Sequence, residues 1–168
     1  MSQDKEISLH SEVEVKDLFE FMMDFNYKCL RGVLTVLFSI ACIVGVIIFW
    51  GKLSGVQRGV IIFIPILFLV ISPMEYYLRA KRQKKKSFSQ ATDYVMNEEG
   101  ITIKVGEEEG KLQWSDIVRV KTTKNLLLIY TSPVMSFIIP KRQIEDKFDT
   151  LKNILENNTK CYYFKMKK

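Results

Sequence analysis

The sequence holds a single histidine, His10, which excludes a His-based catalytic triad and a His-rich metal site. Its three cysteines, Cys29, Cys42 and Cys161, form no close pair, so no disulfide framework is encoded. Cys42 sits within an apolar run. Cys29 precedes that run and could accept a lipid in a cell with the machinery for it. No Gly-rich loop leads into a helix beginning Lys-Ser or Lys-Thr, so a P-loop is absent. With this inventory no catalytic residue, metal ligand or cofactor is assigned, and the protein is expected to be non-enzymatic.

Charge is missing from two further places, residues 33–50 and 59–74. The first stretch has 18 uncharged residues, or 20 with Gly32 and Gly51. At ~1.5 Å rise per residue that is roughly 30 Å, the thickness of a bilayer's hydrocarbon core. The run Arg79-Ala-Lys-Arg-Gln-Lys-Lys-Lys86 follows the second stretch. The pattern predicts a transmembrane hairpin over residues 32–78, with spans of about 32–51 and 59–78. Lys28 and Arg31 precede the first span, and the connecting loop 51–58 holds two basic residues against six in 79–86. The positive-inside rule then places both termini in the cytoplasm and the loop outside, giving a multi-pass protein of the inner (cytoplasmic) membrane. The first apolar run starts too far into the chain, behind an acidic segment, for a cleaved signal peptide.

The net charge of +6 is local. Residues 32–86 carry eight Lys/Arg and one acid, residues 1–31 four bases and seven acids, and residues 87–168 thirteen bases and eleven acids. The basic excess lies beside the membrane, where it is the ordinary topogenic signal, so no nucleic-acid partner is expected.

Residues 1–31 read as a strand followed by an amphipathic helix. Ile7, Leu9, Val13 and Val15 keep a period of two, whereas Leu18, Phe19, Met22, Phe25, Cys29 and Leu30 fit a period of 3.6. Packing on the cytosolic domain and lying at the lipid interface both suit that helix, and its acidic polar face favours packing. Pro65 and Pro73 lie in the second span, and Glu75 sits at its cytosolic end beside Tyr76, Tyr77 and Arg79. The stretch 79–90 lacks Gly and Pro and predicts a basic juxtamembrane stalk. Its Arg79, Lys81, Arg82, Lys84, Lys85 and Lys86 are the expected contacts with anionic lipid headgroups.

A β pattern occupies the next segment. Ile101, Ile103 and Val105 alternate with polar residues, the acidic Gly106-Glu-Glu-Glu-Gly110 makes a turn, and Leu112 and Trp114 follow. Val118 and Val120, the run 126–130 and residues 136–140 complete five or six short strands. Ile144, Phe148, Leu151, Ile154 and Leu155 then form the stripe of a single C-terminal helix, and residues 158–168 are a basic tail. Seventy residues is small for an independent core, and the N-terminal strand could complete the sheet after crossing the hairpin.

Four segments carry a family resemblance: Asn97-Glu-Glu-Gly-Ile101, Leu112-Gln-Trp-Ser-Asp-Ile117, Leu126-Leu-Leu-Ile-Tyr130 and Phe137-Ile-Ile-Pro-Lys-Arg142. With the Lys-Asp-Leu-Phe-Glu-Phe start at 16–21 and two close spans, the chain resembles the YcxB-like family of small bacterial membrane proteins. The resemblance implies that residues 91–157 form a PH-like domain, a strongly bent β-sheet or barrel closed by a C-terminal helix. The expected fold class is thus an α+β membrane protein, a two-helix transmembrane hairpin plus that small cytosolic domain. The family implies no reaction and no catalytic residues.

Two pairs of residues are candidate contacts for a partner or a lipid headgroup. Trp114 and Asp116 suit either a core Trp with a turn-capping Asp or a recognition patch. Lys141 and Arg142 suit either solvated charges or a phosphate or acidic partner. Glu107, Glu108 and Glu109 read as a solvated turn, since three adjacent acids cannot all face one cation. The sequon Asn157-Asn-Thr159 falls on the cytoplasmic side, where it is not used. The expected function is presentation of the module to a protein partner or to a second copy. The alternatives are an anionic-lipid sensor using the basic stalk, and a small membrane accessory or immunity protein acting through the hairpin.

Overall fold

Alternation at the N-terminus produces the first strand, β1 (Glu6–Ser11), which buries Ile7, Leu9 and Ser11 and exposes the residues between them. A computed structural model describes residues 6–28, 30–161 and 163–167 of the chain. Cys29 and the side chains of Lys28 and Arg31 lie outside what is described. Two units emerge, one built from residues up to Leu18 and from Gln83 onward, the other Phe19–Arg82.

The first unit is α+β. Its strands are β1, β2 (Thr92–Asn97), β3 (Gly100–Val105), β4 (Glu108–Leu112), β5 (Arg119–Thr122), β6 (Leu126–Tyr130), β7 (Ser136–Pro140) and β8 (Tyr163–Lys165). They make two four-stranded sheets in the orders β1-β2-β3-β4 and β7-β6-β5-β8. The expected closed barrel is not formed, because both edges of β5 are taken, by β6 antiparallel and by β8 parallel. That leaves β4 no neighbour on the second sheet, and a 3₁₀ turn at Trp114–Asp116 separates the two. Residues 163–165 of the basic tail are thus part of the sheet, although three residues are too few for alternation to predict a strand. The acidic turn is also shorter than its composition implies. Gly106 takes φ 61°, and β4 begins at Glu108, where Glu109 sits opposite Lys104 at 3.3 Å.

β1 pairs in antiparallel register with β2, Ile7 opposite Met96 and Leu9 opposite Tyr94, although some 80 residues separate them. Closing a loop of that length costs roughly 4 kcal/mol in a flexible chain. Burying Ile7 and Leu9 contributes about 3–6 kcal/mol, enough to offset it. One apolar core joins the two sheets: Ile7, Leu9, Met96 and Ile101 from the first meet Val120, Leu127, Ile129 and Ile139 from the second. Tyr94 on β2 stands edge-on to Phe137 on β7 at 6.1 Å. A C-terminal helix, α4 (Phe148–Asn158), adds Phe148, Leu151 and Leu155 to this core, as its apolar stripe predicts.

The second unit is helical and apolar. Most of α1 (Val15–Lys28) lies in it, with α2 (Leu30–Ile48) and α3 (Gly55–Ser87). α3 starts earlier than the apolar run because Ser54 and Gln57 form a reciprocal capping box, with Ser54 N donating to Gln57 Oε1 at 2.9 Å. Pro65 and Pro73 are accommodated inside α3, which continues without a break through the basic run to Ser87. α3 is long and apolar enough to cross a membrane. The pair Val15–Tyr27 and Gly32–Ile48, bent by 70°, meets the same requirement when its two pieces are taken together. By length and composition that makes one spanning helix, or two if the bent pair counts as one span.

Two predictions follow from the first unit. Gly100 has φ 157°, and a Cβ there would collide with the carbonyl oxygen of Leu112. Gly100→Ala should therefore destabilise the fold by about 1–3 kcal/mol in a urea titration of the purified protein. Burial raises the Tyr94 phenol from 10.0 to about 12. Its raised folded-state value means that stability is full below pH 10 and falls between pH 10 and about 12. Tyr94→Phe should remove that part of the alkaline loss, read as denaturant midpoints on either side of pH 10.

Candidate functional site

The densest polar cluster gathers around Arg142, which leaves the end of β7 in a 3₁₀ turn at Lys141–Gln143. Its guanidinium forks onto Asp17, with Nη1 donating to Oδ1 at 2.7 Å and Nη2 to Oδ2 at 2.8 Å. Nη2 also donates to Glu14 Oε1 at 3.0 Å. Asp17 lies in the first turn of α1 and is only 2% exposed. Its Oδ2 accepts a further bond from the Glu14 backbone N–H at 2.8 Å, closing off an otherwise orphan donor at the helix start. Gln143 pairs twice with the backbone of Glu12, at 3.1 and 2.9 Å. The carboxylate of Glu12 then receives Lys84 at 3.5 Å. The turn after β7 thus grips residues 12–17, and these in turn hold the end of the basic helix.

The hydrogen bonds it donates to Asp17 hold the Arg142 guanidinium above its ordinary pKa, against the opposing effect of burial and with help from the charges of Asp17, Glu14 and Glu12. A raised arginine value contributes stability that is lost only as pH rises through it, far above physiological pH. On the arginine side the clamp does not titrate in the cell.

Of the candidate contacts, Arg142 is thus committed inside the protein, and a phosphate there would compete with Asp17 and Glu14. Lys141 donates to the Lys167 carbonyl at 2.8 Å and lies 6.0 Å above the Phe148 ring. Trp114 is 8% exposed, and its Nε1–H is shared between the carbonyls of Asn97 at 3.0 Å and Glu98 at 3.2 Å. Asp116 accepts from the Gln113 N–H at 3.1 Å and caps the 3₁₀ turn. These are the core and turn-capping roles of the two readings open from sequence. Trp114 and Asp116 bond to residues 97, 98 and 113, whereas Lys141 and Arg142 bond to residues 12, 14, 17 and 167, so the two pairs serve different places.

Along the basic run, Arg79, Lys81, Arg82, Lys85 and Lys86 are exposed, as lipid contact requires, and Lys84 is half-buried. Arg79 stands 4.0 Å from Glu75, one helical turn away. Between the β2–β3 turn and α4 lies an open cleft of about 330 Å³, lined by Asn97, Asn153, Asn157 and Asn158 with Glu98 and Thr150. Two of its four amides serve the backbone: Asn97 Oδ1 accepts from Glu99 and Gly100, and Asn158 donates to Ile154.

Sequence reasoning missed Asp17, reading it as part of an acidic polar face. Its signal was the spacing Glu14-x-x-Asp17 at a helix start, the pattern of a carboxylate that reaches back to the helix cap.

The family model described as YcxB-like protein matches residues 97–155. Those residues are a YcxB-like domain. They run from the β2–β3 turn through most of α4, so the match takes in the Trp114 turn, Lys141 and Arg142. It leaves out β1 and Asp17, which complete the sheet and the clamp of this YcxB-like domain from outside. The curated "Uncharacterized protein YcxB" of Bacillus subtilis (strain 168) is 29% identical over 112 residues. That covers 64% of this chain and 60% of the relative, so the chain spans less than two thirds of the relative's length. No solved structure matches the chain.

Replacing Arg142 with Gln should cost about 2–3 kcal/mol, because a buried carboxylate loses its counter-charge. The figure sits below that for a fully buried pair because the Arg142 side chain is 33% exposed. Asp17→Asn combined with Arg142→Gln should recover part of the loss in a double-mutant cycle by thermal unfolding.

Proposed function

We propose that this chain is a non-enzymatic integral protein of the bacterial inner membrane, which presents a cytosolic PH-like module to a protein partner or to a second copy of itself. One observation carries the reading. The helical unit exposes most of its large apolar side chains, among them Ile47 at 69% and Val70 at 61%. In water such a surface would drive association, and in a bilayer it is the ordinary exterior of a span.

The two helices then form the hairpin, and the basic run after α3 sets both termini in the cytoplasm. Two sheets that share one core with a single C-terminal helix against it support reading the module as PH-like. The clamp at Arg142 and the pairing of β1 with β2 tie residues 6–17 to the sheets, which supports reading the first unit as one compact module.

A tagged pull-down from native membranes in mild detergent, with mass spectrometry of proteins and lipids, tests this. A stoichiometric protein partner or a homo-oligomer is expected. A strictly monomeric protein without partners would remove the reading, and enrichment of one anionic lipid alone would favour the stalk as a lipid sensor. Replacing both spans with unrelated apolar helices should leave partner capture at least partly intact, whereas complete loss would point to the hairpin as the active surface.

A further inference from the structure

Charge is segregated between the two sheets of the first unit. Residues 92–116, which supply β2 to β4, carry seven acids and two bases. Residues 117–142, which supply β5 to β7, carry five bases and no acid, and no acid follows Glu156. The second sheet therefore holds no acid, and its strand cations, Arg119, Lys121 and Lys165, lie on β5 and β8.

Apolar exposure is segregated in the same way. Among the described residues outside 19–82, the large apolar side chains that are exposed are Val134, Met135 and Tyr163. Val134 is 72% and Met135 65% exposed. Strand register puts all three at one end of the second sheet: Tyr163 pairs with Arg119, Arg119 with Tyr130 and Tyr130 with Ser136. The β6–β7 connection, residues 131–135, projects beyond that row. It is a stiff turn, since Ser132 Oγ accepts from the N–H groups of Val134 and Met135, and Thr131 N–H donates to the Met135 carbonyl at 3.2 Å. Arg119 stacks over the Tyr130 ring at 4.2 Å directly behind the tip. Lys121 and Lys165 continue the same face, opposite each other in the parallel register.

We infer that the Val134–Met135 hairpin tip dips into the headgroup region of an anionic bilayer, with Arg119, Lys121 and Lys165 against its phosphates. An apolar tip with a tyrosine beside it and cations behind it matches the layers of a membrane interface, from acyl chain to headgroup to phosphate. A protein partner would have little need for an acid-free sheet, whereas the inner leaflet carries negative charge. The acidic first sheet is left facing the cytosol. The inference rests on the membrane reading of α2 and α3.

The test uses the full chain reconstituted into vesicles of phosphatidylcholine, alone or mixed with phosphatidylglycerol, whose acyl chains carry bromine as a quencher. Val134→Trp places a reporter at the tip and Glu108→Trp one on exposed β4, each in a Trp50→Phe chain and read after subtracting the emission of buried Trp114. The native Trp50, two residues beyond α2, reports in the otherwise unchanged chain whether the helices have inserted. Trp50 should be quenched in every case. The tip reporter should shift to the blue and lose most of its emission, more so as phosphatidylglycerol rises. The β4 reporter should remain accessible to aqueous acrylamide. Arg119→Gln with Lys165→Gln should weaken quenching at the tip and leave Trp50 unchanged. A tip reporter that stays in water while Trp50 is quenched overturns the inference, as does one shielded by a second copy and untouched by bromine. Unquenched Trp50 instead overturns the membrane reading beneath it.

Discussion

The fold depends on the pairing of β1 with β2. Without β1 the first sheet would end at β2, and the core would lose Ile7 and Leu9 from the face that packs on Tyr94, Met96 and the opposite sheet. The pairing also sets where the chain leaves and where it returns. Ser11 lies opposite Thr92, so residues 12–91 leave and rejoin the sheet at the same end of the β1–β2 pair.

The Arg142 clamp completes what the strand pairing begins. The strand ends at Ser11, and the next residues must turn into α1 with a buried carboxylate at its start. A bidentate guanidinium is the partner that makes burial of Asp17 tolerable, with its second nitrogen reaching Glu14 as well. Loops are ordinarily the yielding parts of a domain. Here a turn after β7 and the segment 12–17 are tied to each other by charge and by backbone bonds from Gln143.

The two sheets differ in charge and in exposure. The second holds no acid and ends in the exposed apolar tip at Val134 and Met135. The first sheet carries the acidic β3–β4 hairpin and borders the Asn-lined cleft, and has the chemistry of a surface left to water and to a polar partner.

Much of this was legible in the chain itself. The two apolar stretches, the basic run, the alternation in 6–11 and 101–105, and the stripe of the last helix are all local patterns, and local periodicity shows which face an element buries. The motif around Trp114 announced the domain family, and the Trp and Asp there proved to be a core side chain and a turn cap. Other features were out of reach. The spacing Glu14-x-x-Asp17 marks a helix-start carboxylate, but the burial of Asp17 depends on an arginine 125 residues away. Strand β8 is three residues long and exists because β5 had an open edge beside it. The separation into two sheets has the same origin, since edge occupancy belongs to the assembled topology. Sequence by itself determined which segments are apolar, which are cationic and which alternate. Tertiary structure decided which of those segments share an edge, and so which charges are paired inside and which stay on the surface.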